Sequence, residues 1–218
     1  MCGRNSIGYK PSELAERYEA ENQSNFTRSY NIAPGNNQPI VSKNSPETLR
    51  DARFGFIPEW AEDIQEWENR NVINARIETV DEKKLFKEAV NNRRCLIPST
   101  GFYEWKGSRG NKQPFHITWK NEKVMSFAGI YSTYDNGSYS FAILTQKPNE
   151  KVGKLHDRMP VILTEREELG WLDGDLASSM VDELDGSELE IYPVSERVND
   201  PGFDGKKCIQ RLNNLGNY

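Results

Sequence analysis

Histidine is almost absent from this sequence, with two in 218 residues, and cysteine is scarce at three. Cys2, Cys95 and Cys208 are odd in number and include no CxxC spacing, so neither a disulfide framework nor a zinc site is indicated. Long apolar runs are missing as well. Nothing approaches the roughly 18 residues of a membrane span, and the opening Met-Cys-Gly-Arg-Asn has no apolar signal-peptide core. A cytoplasmic protein without membrane association, metal or organic cofactor is expected. Positive charge is not in excess either: 28 Lys and Arg stand against 33 Asp and Glu, for a net charge of −5. That balance argues against broad electrostatic affinity for nucleic acid, while leaving room for a local basic groove.

No repeat, low-complexity tract or Gly/Ser linker interrupts the chain, so residues 1–218 read as one domain. A chain of this size buries about 70% of its unfolded surface and needs no covalent staple. Ser12 as N-cap, followed by Leu14, Ala15 and Tyr18 on one face, predicts a surface helix. Leu85, Phe86, Ala89 and Val90 predict a second over residues 81–91, with acids at its start. Thr164 and Glu167 form a capping-box pattern opening a third toward Leu169 and Trp171, and residues 177–184 predict a fourth. Phe115, Ile117 and Trp119 alternate with His116, Thr118 and Lys120 as in a half-buried strand. Residues 124–130 and 139–145 are apolar runs around the turn-forming Asp135, Asn136 and Gly137. These three strands predict a consecutive antiparallel meander. The fold class is then α+β: a mostly antiparallel, barrel-like β core with peripheral helices.

Cys2 is the most unusual feature. Removal of Met1 leaves an α-amine and a thiol on adjacent carbons. The amine, with a reference pKa near 7.7 to 8.0, is far more available as a neutral nucleophile than lysine near 10.4. It condenses with an aldehyde to an imine, and the thiol then closes a five-membered thiazolidine ring, an intramolecular step of high effective molarity. Taken alone, a residue in a loose terminus is the plainer reading.

Three further segments look too specific to be scaffold. They are Asn-Ala-Arg with Glu78 and Thr79 (74–79), Gly-Phe-Tyr-Glu-Trp (101–105) and His-Asp-Arg-Met-Pro (156–160). Together with Met-Cys-Gly-Arg, Tyr-Asn-Ile-Ala-Pro-Gly (30–35) and Gly-Phe-Ile-Pro-Glu-Trp (55–60), they make the chain resemble the SRAP (SOS response-associated peptidase) family over nearly its whole length. The resemblance implies a compact α+β fold around a β-barrel-like core. It also implies a covalent crosslink to abasic sites in single-stranded DNA, formed as part of the DNA damage response.

Residue by residue, the resemblance makes Cys2 the N-terminal nucleophile, Asn74 a positioning amide, Glu104 a catalytic carboxylate and His156 a proton-shuttling imidazole. Each assignment suits its chemistry. A carboxyl beside Trp105, partly desolvated, holds a proton near neutral pH and can open the closed sugar, and an imidazole near pKa 6.5 suits proton transfer at the imine. Asn74 contributes hydrogen bonds without titrating. The resemblance assigns Arg4, Arg76 and Arg158 to flanking phosphates, and Pro34 and Trp60 to positions near the DNA. Trp60 reads equally well as a core residue. Two positions depart from the family: Phe54 stands where tryptophan is frequent, and Asn5 where an apolar or aromatic residue is. Trp105, Trp119 and Trp171 read as packing residues, Cys95 and Cys208 as small buried hydrophobes, and His116 as structural.

Two alternatives use the same residues. A cysteine peptidase would employ Cys2 as nucleophile and His156 as base, without needing the α-amine. A non-covalent reader of modified bases would use Trp60 and the arginines, leaving Glu104 and His156 without a task. Strand cleavage by β-elimination from the imine is a further outcome that rapid thiol closure should suppress. A monomer is expected.

Overall fold

The computed structural model describes residues 2–108, 110–121, 123–135, 137–174 and 186–212. The helix expected over 177–184 lies outside them. In chain order the strands are β1 (Asn5–Ile7), β2 (Glu21–Asn22), β3 (Ser29–Ile32), β4 (Asn37–Ser42), β5 (Ser45–Phe54), β6 (Asn74–Arg76) and β7 (Arg94–Ser99). There follow β8 (Gly101–Ser108), β9 (Asn111–Trp119), β10 (Met125–Tyr134), β11 (Ser138–Gln146), β12 (Met159–Pro160), β13 (Ile162–Leu163) and β14 (Leu189–Pro193). The helices are α1 (Pro11–Arg17), α2 (Ile64–Arg70), α3 (Lys87–Asn92), α4 (Glu150–Gly153) and α5 (Glu165–Asp173). None is long and apolar enough to cross a membrane.

One sheet runs β14-β9-β8-β1-β3 and is antiparallel throughout. The other runs β12-β11-β10-β7-β4-β5-β2, with β13 on β10 and β6 on β11. A parallel pairing of β5 with β11, Arg53 opposite Ser140 and Phe54 opposite Phe141, closes β5-β4-β7-β10-β11 into a barrel. Closure removes two sheet edges that would otherwise present unpaired N–H and C=O groups. Phe54 and Phe141 stack across this seam at 5.2 Å and 2°. Phe54 is therefore fully buried in the seam and offers no surface to a base. A side chain at Gly129 would meet Ile97 Cδ1 at 2.4 Å and Cys95 Sγ at 3.0 Å, so the side chains of β7 pack over the space that glycine leaves on β10.

The α+β class and barrel core match the sequence expectation, and several elements refine it. The β10–β11 hairpin turns where expected, with Asp135 at φ 35° and Gly137 at φ 93°. The meander does not form, because β9 pairs with β8 and β14 in the other sheet. Nor is β9 half-buried. Phe115 and Ile117 face the core, while His116 is covered by Tyr103 and Tyr192 and Thr118 is buried with its hydroxyl donating to the Thr100 carbonyl at 2.6 Å.

Helix α1 is capped by Lys10, whose main-chain N–H donates to Glu13 Oε2 at 2.6 Å, rather than by Ser12. Pro11 sits in the first turn, where its missing N–H costs nothing. Leu14 and Ala15 are its buried face. Helix α3 begins at Lys87, not at residue 81. The main-chain N–H groups of Glu82 and Lys83 both donate to Thr79 O, making a tight turn, and Phe86 then docks edge-on against Phe56 at 5.6 Å. The capping box at α5 forms as expected, Thr164 N–H donating to Glu167 Oε2 at 2.7 Å. Glu168, Trp171 and Leu172 are its buried residues, while Leu169 is exposed.

Four elements bring the candidate residues toward one region. Strand β1, three residues after Cys2, lies between β3 and β8, and β8 carries Glu104. Strands β6 and β12 both pair with the C-terminal half of β11, β6 carrying Asn74 and Arg76, and β12 following the loop with His156 and Arg158.

Candidate active site

Cys2 is fully buried, its Sγ 4.0 Å from the Arg4 carbonyl oxygen. Its own carbonyl accepts a hydrogen bond from Asn74 Nδ2 at 3.2 Å, and Asn74 is itself steadied by the Ile73 carbonyl at 2.9 Å. Burial pushes the Cys2 thiol up, and the neighbouring Glu104 charge pushes it the same way. Glu104 lies opposite Phe115 and on the same face of β8 as Phe102, so its carboxyl points toward the core and is 2% exposed. Burial raises it to about 7. At neutral pH this carboxyl is thus present in both protonation states and can give or take a proton.

His156 follows α4, which Asn149 caps by accepting from Val152 N–H at 2.9 Å. Burial pulls its pKa below the ordinary histidine value. Its Nδ1 lies 3.0 Å from the Arg158 main-chain N–H and 3.0 Å from Asp157 Oδ1. The first contact needs a bare nitrogen and the second a protonated one; the lowered pKa favours the neutral ring. Glu104 and His156 open onto one cleft of 620 Å³, whose walls include Trp105, Lys112, Glu196 and Asn199. Trp105 is half-buried on this wall, its Nε1 donating to Asn199 Oδ1 at 2.7 Å. Of the residues expected from sequence, Asn74 hydrogen-bonds to Cys2, the Glu104 charge acts on the Cys2 thiol, and His156 shares a cleft with Glu104 whose described lining does not include Cys2.

The three arginines differ in their surroundings. Arg4 Nη1 donates to Asn31 Oδ1 at 2.7 Å and to the Val198 carbonyl at 2.8 Å, tying the segment before β1 to β3 and to residues 196–199. Arg158 grips Glu78 with both arms, Nη1 to Oε1 and Nη2 to Oε2 each at 2.8 Å, and Nη2 also donates to the Thr145 carbonyl at 2.5 Å. This fork holds the Glu78 carboxyl below its ordinary range. Arg76, at the end of β6, is exposed, with no ion pair among the described residues. Pro34 is half-buried at the turn before Gly35, and Trp60 is 64% exposed, standing edge-on to Trp67 at 5.2 Å. Trp60 is thus a surface residue and not core. Neither of these two lines the 620 Å³ cleft.

The family model described as SOS response associated peptidase (SRAP) matches residues 1–201, a span that holds every residue named above around the cleft. The chain belongs to the SRAP family. Among its SRAP relatives, the abasic site processing protein YoqW of Bacillus subtilis is 36% identical over 224 residues, covering 96% of this chain and 99% of that one. The abasic site processing protein HMCES of Xenopus tropicalis is 24% identical, covering 97% and 78%. A crystal structure of a protein from Bacteroides thetaiotaomicron superposes with a TM-score of 0.86 at 28% identity, over 97% of this chain and all of that one. Sequence reading gave no role to Glu78, Asp157 or Asn31, although all three sit inside the blocks that carry the SRAP resemblance. Lys112 and Asn199 reach the cleft from segments with no local signal.

Proposed function

We propose that this SRAP protein processes abasic sites in single-stranded DNA by covalent capture, its Cys2 α-amine and thiol together closing a thiazolidine on the sugar aldehyde once Met1 is removed. The observation that carries this reading is Glu104, a buried carboxyl titrating near 7 beside the Cys2 thiol and open to the cleft it shares with His156. The names of the relatives YoqW and HMCES support the abasic site as substrate. Protonated Glu104 donates to the ring oxygen as the closed sugar opens, and neutral His156 accepts the C1 hydroxyl proton. The amine then attacks the aldehyde carbon, its proton shifts to the oxygen, and the hydroxyl leaves as water with the proton His156 had taken up, so that a protonated imine remains. Ionised Glu104 accepts the thiol proton as sulfur adds to the imine carbon, which leaves a neutral thiazolidine nitrogen. Asn74 holds the Cys2 carbonyl and thereby aims the amine.

Arg76 meets a flanking phosphate directly, while Arg4 and Arg158 reach one only with the N–H groups their protein partners leave. Pro34 and Trp60 support neighbouring bases, Trp60 by its exposed face. The protein acts as a monomer in the cytoplasm, and no step requires a cofactor. The peptidase alternative asks the same thiol to attack as a thiolate, which its burial opposes.

The experiment is incubation of abasic oligonucleotide with wild type, with a variant carrying an uncleavable residue before Cys2, and with Cys2→Ala. Only wild type is expected to form a denaturant-stable adduct. A stable adduct from the blocked variant would overturn the ring mechanism. Undiminished binding by Cys2→Ala with no adduct from wild type would point to the non-covalent reader.

A further inference from the structure

Strand β1 buries a polar side chain that its surroundings leave unsatisfied. Asn5 is fully buried, and neither its Oδ1 nor its Nδ2 has a hydrogen-bond partner among the described residues. Its direct partners across the two ladders, Ile32 on β3 and Phe102 on β8, present apolar side chains. A buried amide in this state costs stability, and the few that native folds keep call for a reason.

Strand register shows what the amide can reach. Asn5 lies opposite Phe102, so the two side chains leave the sheet on one face, and Glu104, two residues along β8, leaves it on the same face. The other face carries the alternate residues: Ser6 Oγ meets His116 Nε2 at 3.0 Å, and the Tyr103 ring lies 4.9 Å from the same imidazole. The ladder continues past Asn5, since Tyr103 N–H donates to the Arg4 carbonyl at 3.0 Å. Asn5 and Glu104 are thus diagonal neighbours, about 7–8 Å apart across the pair, within reach of a turning amide and a long carboxyl. No hydrogen bond among the described residues holds the amide elsewhere. A carboxylate has about four acceptor positions, so a donor from β1 adds to the partners Glu104 already has. The charged or titratable groups facing Glu104 come from other segments: the N-terminal amine and Cys2 before β1, Lys112 on β9, His156 and Asp157 after α4, and Glu196 across the cleft.

We propose that Asn5 is a positioning residue for proton transfer by Glu104, its amide turning to the carboxyl, donating from Nδ2 when Glu104 is ionised and accepting at Oδ1 when Glu104 carries its proton. The inference rests on the reading of Glu104 as a proton-transfer group. An amide that serves both forms keeps the carboxyl in one place while it gives a proton to the sugar ring oxygen and later takes one from the thiol. The bond to the charged form is the stronger of the two. Asn5 therefore favours the ionised carboxyl that sulfur addition needs.

Carboxyl 13C and side-chain 15N spectra of the full chain without DNA follow both groups through a pH titration. Glu104→Gln and Asn5→Leu assign the two signals. In wild type, one of the two Asn5 amide protons is expected to move downfield as Glu104 ionises, with the midpoint of the Glu104 carboxyl, and this movement should be missing in Glu104→Gln. Asn5→Leu should raise the Glu104 midpoint by about one pH unit, a tenfold change in its ionisation constant. His116, held between Ser6 Oγ and Tyr192 OH on the other face, reports whether β1 has kept its place. If Asn5→Leu disturbs the His116 signals, Asn5→Ala takes its place, and if both do, the wild-type amide titration decides. Amide protons that ignore the ionisation of Glu104, or that contact only bound water, overturn the proposal. An unchanged Glu104 midpoint in a variant with intact His116 signals does so as well, since it leaves Asn5 a merely structural residue. Because no DNA is present, these outcomes are separate from failure of the crosslinking reaction.

Discussion

At the scale of single residues, burying the Glu104 carboxyl, to which we assign proton transfer, carries a cost in stability. Its folded pKa of about 7 lies above the 4.5 of an ordinary glutamate, so the folded protein holds a proton that the unfolded chain has released. The sign follows: its contribution is fully present below pH 4.5 and is lost as pH rises toward 7. Glu104→Gln is isosteric and uncharged, so it should be more stable than wild type at pH 8, by up to about 3 kcal/mol, and the difference should vanish toward pH 4.5. Urea denaturation of both proteins across that range checks it, and crosslinking by the variant should be lost. Cys2 was legible because its chemistry comes from its place in the chain; the raised carboxyl was expected from Trp105 beside it, but consecutive strand residues face opposite sides, and burial on the Phe102 face is what raises Glu104. The Glu78–Arg158 fork was not legible, because its two halves are far apart in sequence and each alone reads as a solvated charge.

At the scale of elements, strand β8 must pass close to β9. A side chain at Gly101 would meet His116 Nε2 at 2.3 Å and the Ile117 carbonyl oxygen at 2.7 Å. The carbonyl belongs to the ladder, and His116 is held on both ring nitrogens, so neither neighbour yields cheaply. Gly101→Ala should cost about 1–3 kcal/mol by overpacking and should weaken crosslinking by displacing Glu104 three residues along the same strand; chemical denaturation and adduct yield check the two effects. Local patterns were readable where the chain decides alone, as in the Thr164–Glu167 box and the β10–β11 turn. They misled where another segment decides. The polar face of β9 looks solvated in sequence, but its His116 is covered by Tyr103 and Tyr192. The helical spacing over 81–91 yields to a turn at Thr79 because Phe86 is anchored on Phe56.

At the scale of the whole molecule, closure of the barrel by β5 on β11 was expected as a class but not as a pairing. No local signal joins Phe54 to Phe141, and only their stacking across the seam reveals the register. The net charge of −5 also bears on the proposed function, under which a few placed guanidinium groups would hold DNA against a repelling surface. If Arg4, Arg76 and Arg158 each meet a phosphate as proposed, the affinity of Cys2→Ala for single-stranded DNA should fall with salt at a log–log slope of about −2. Arg76→Ala should reduce that slope by about 0.7 without changing sequence preference, as titrations over a salt series would show. The most direct measurement is the intact mass of the protein before and after exposure to abasic single-stranded DNA. The predicted product is the chain without Met1 plus the oligonucleotide less one water, stable to denaturant. An adduct that retains Met1, or none formed by protein that has lost it, would contradict capture by Cys2.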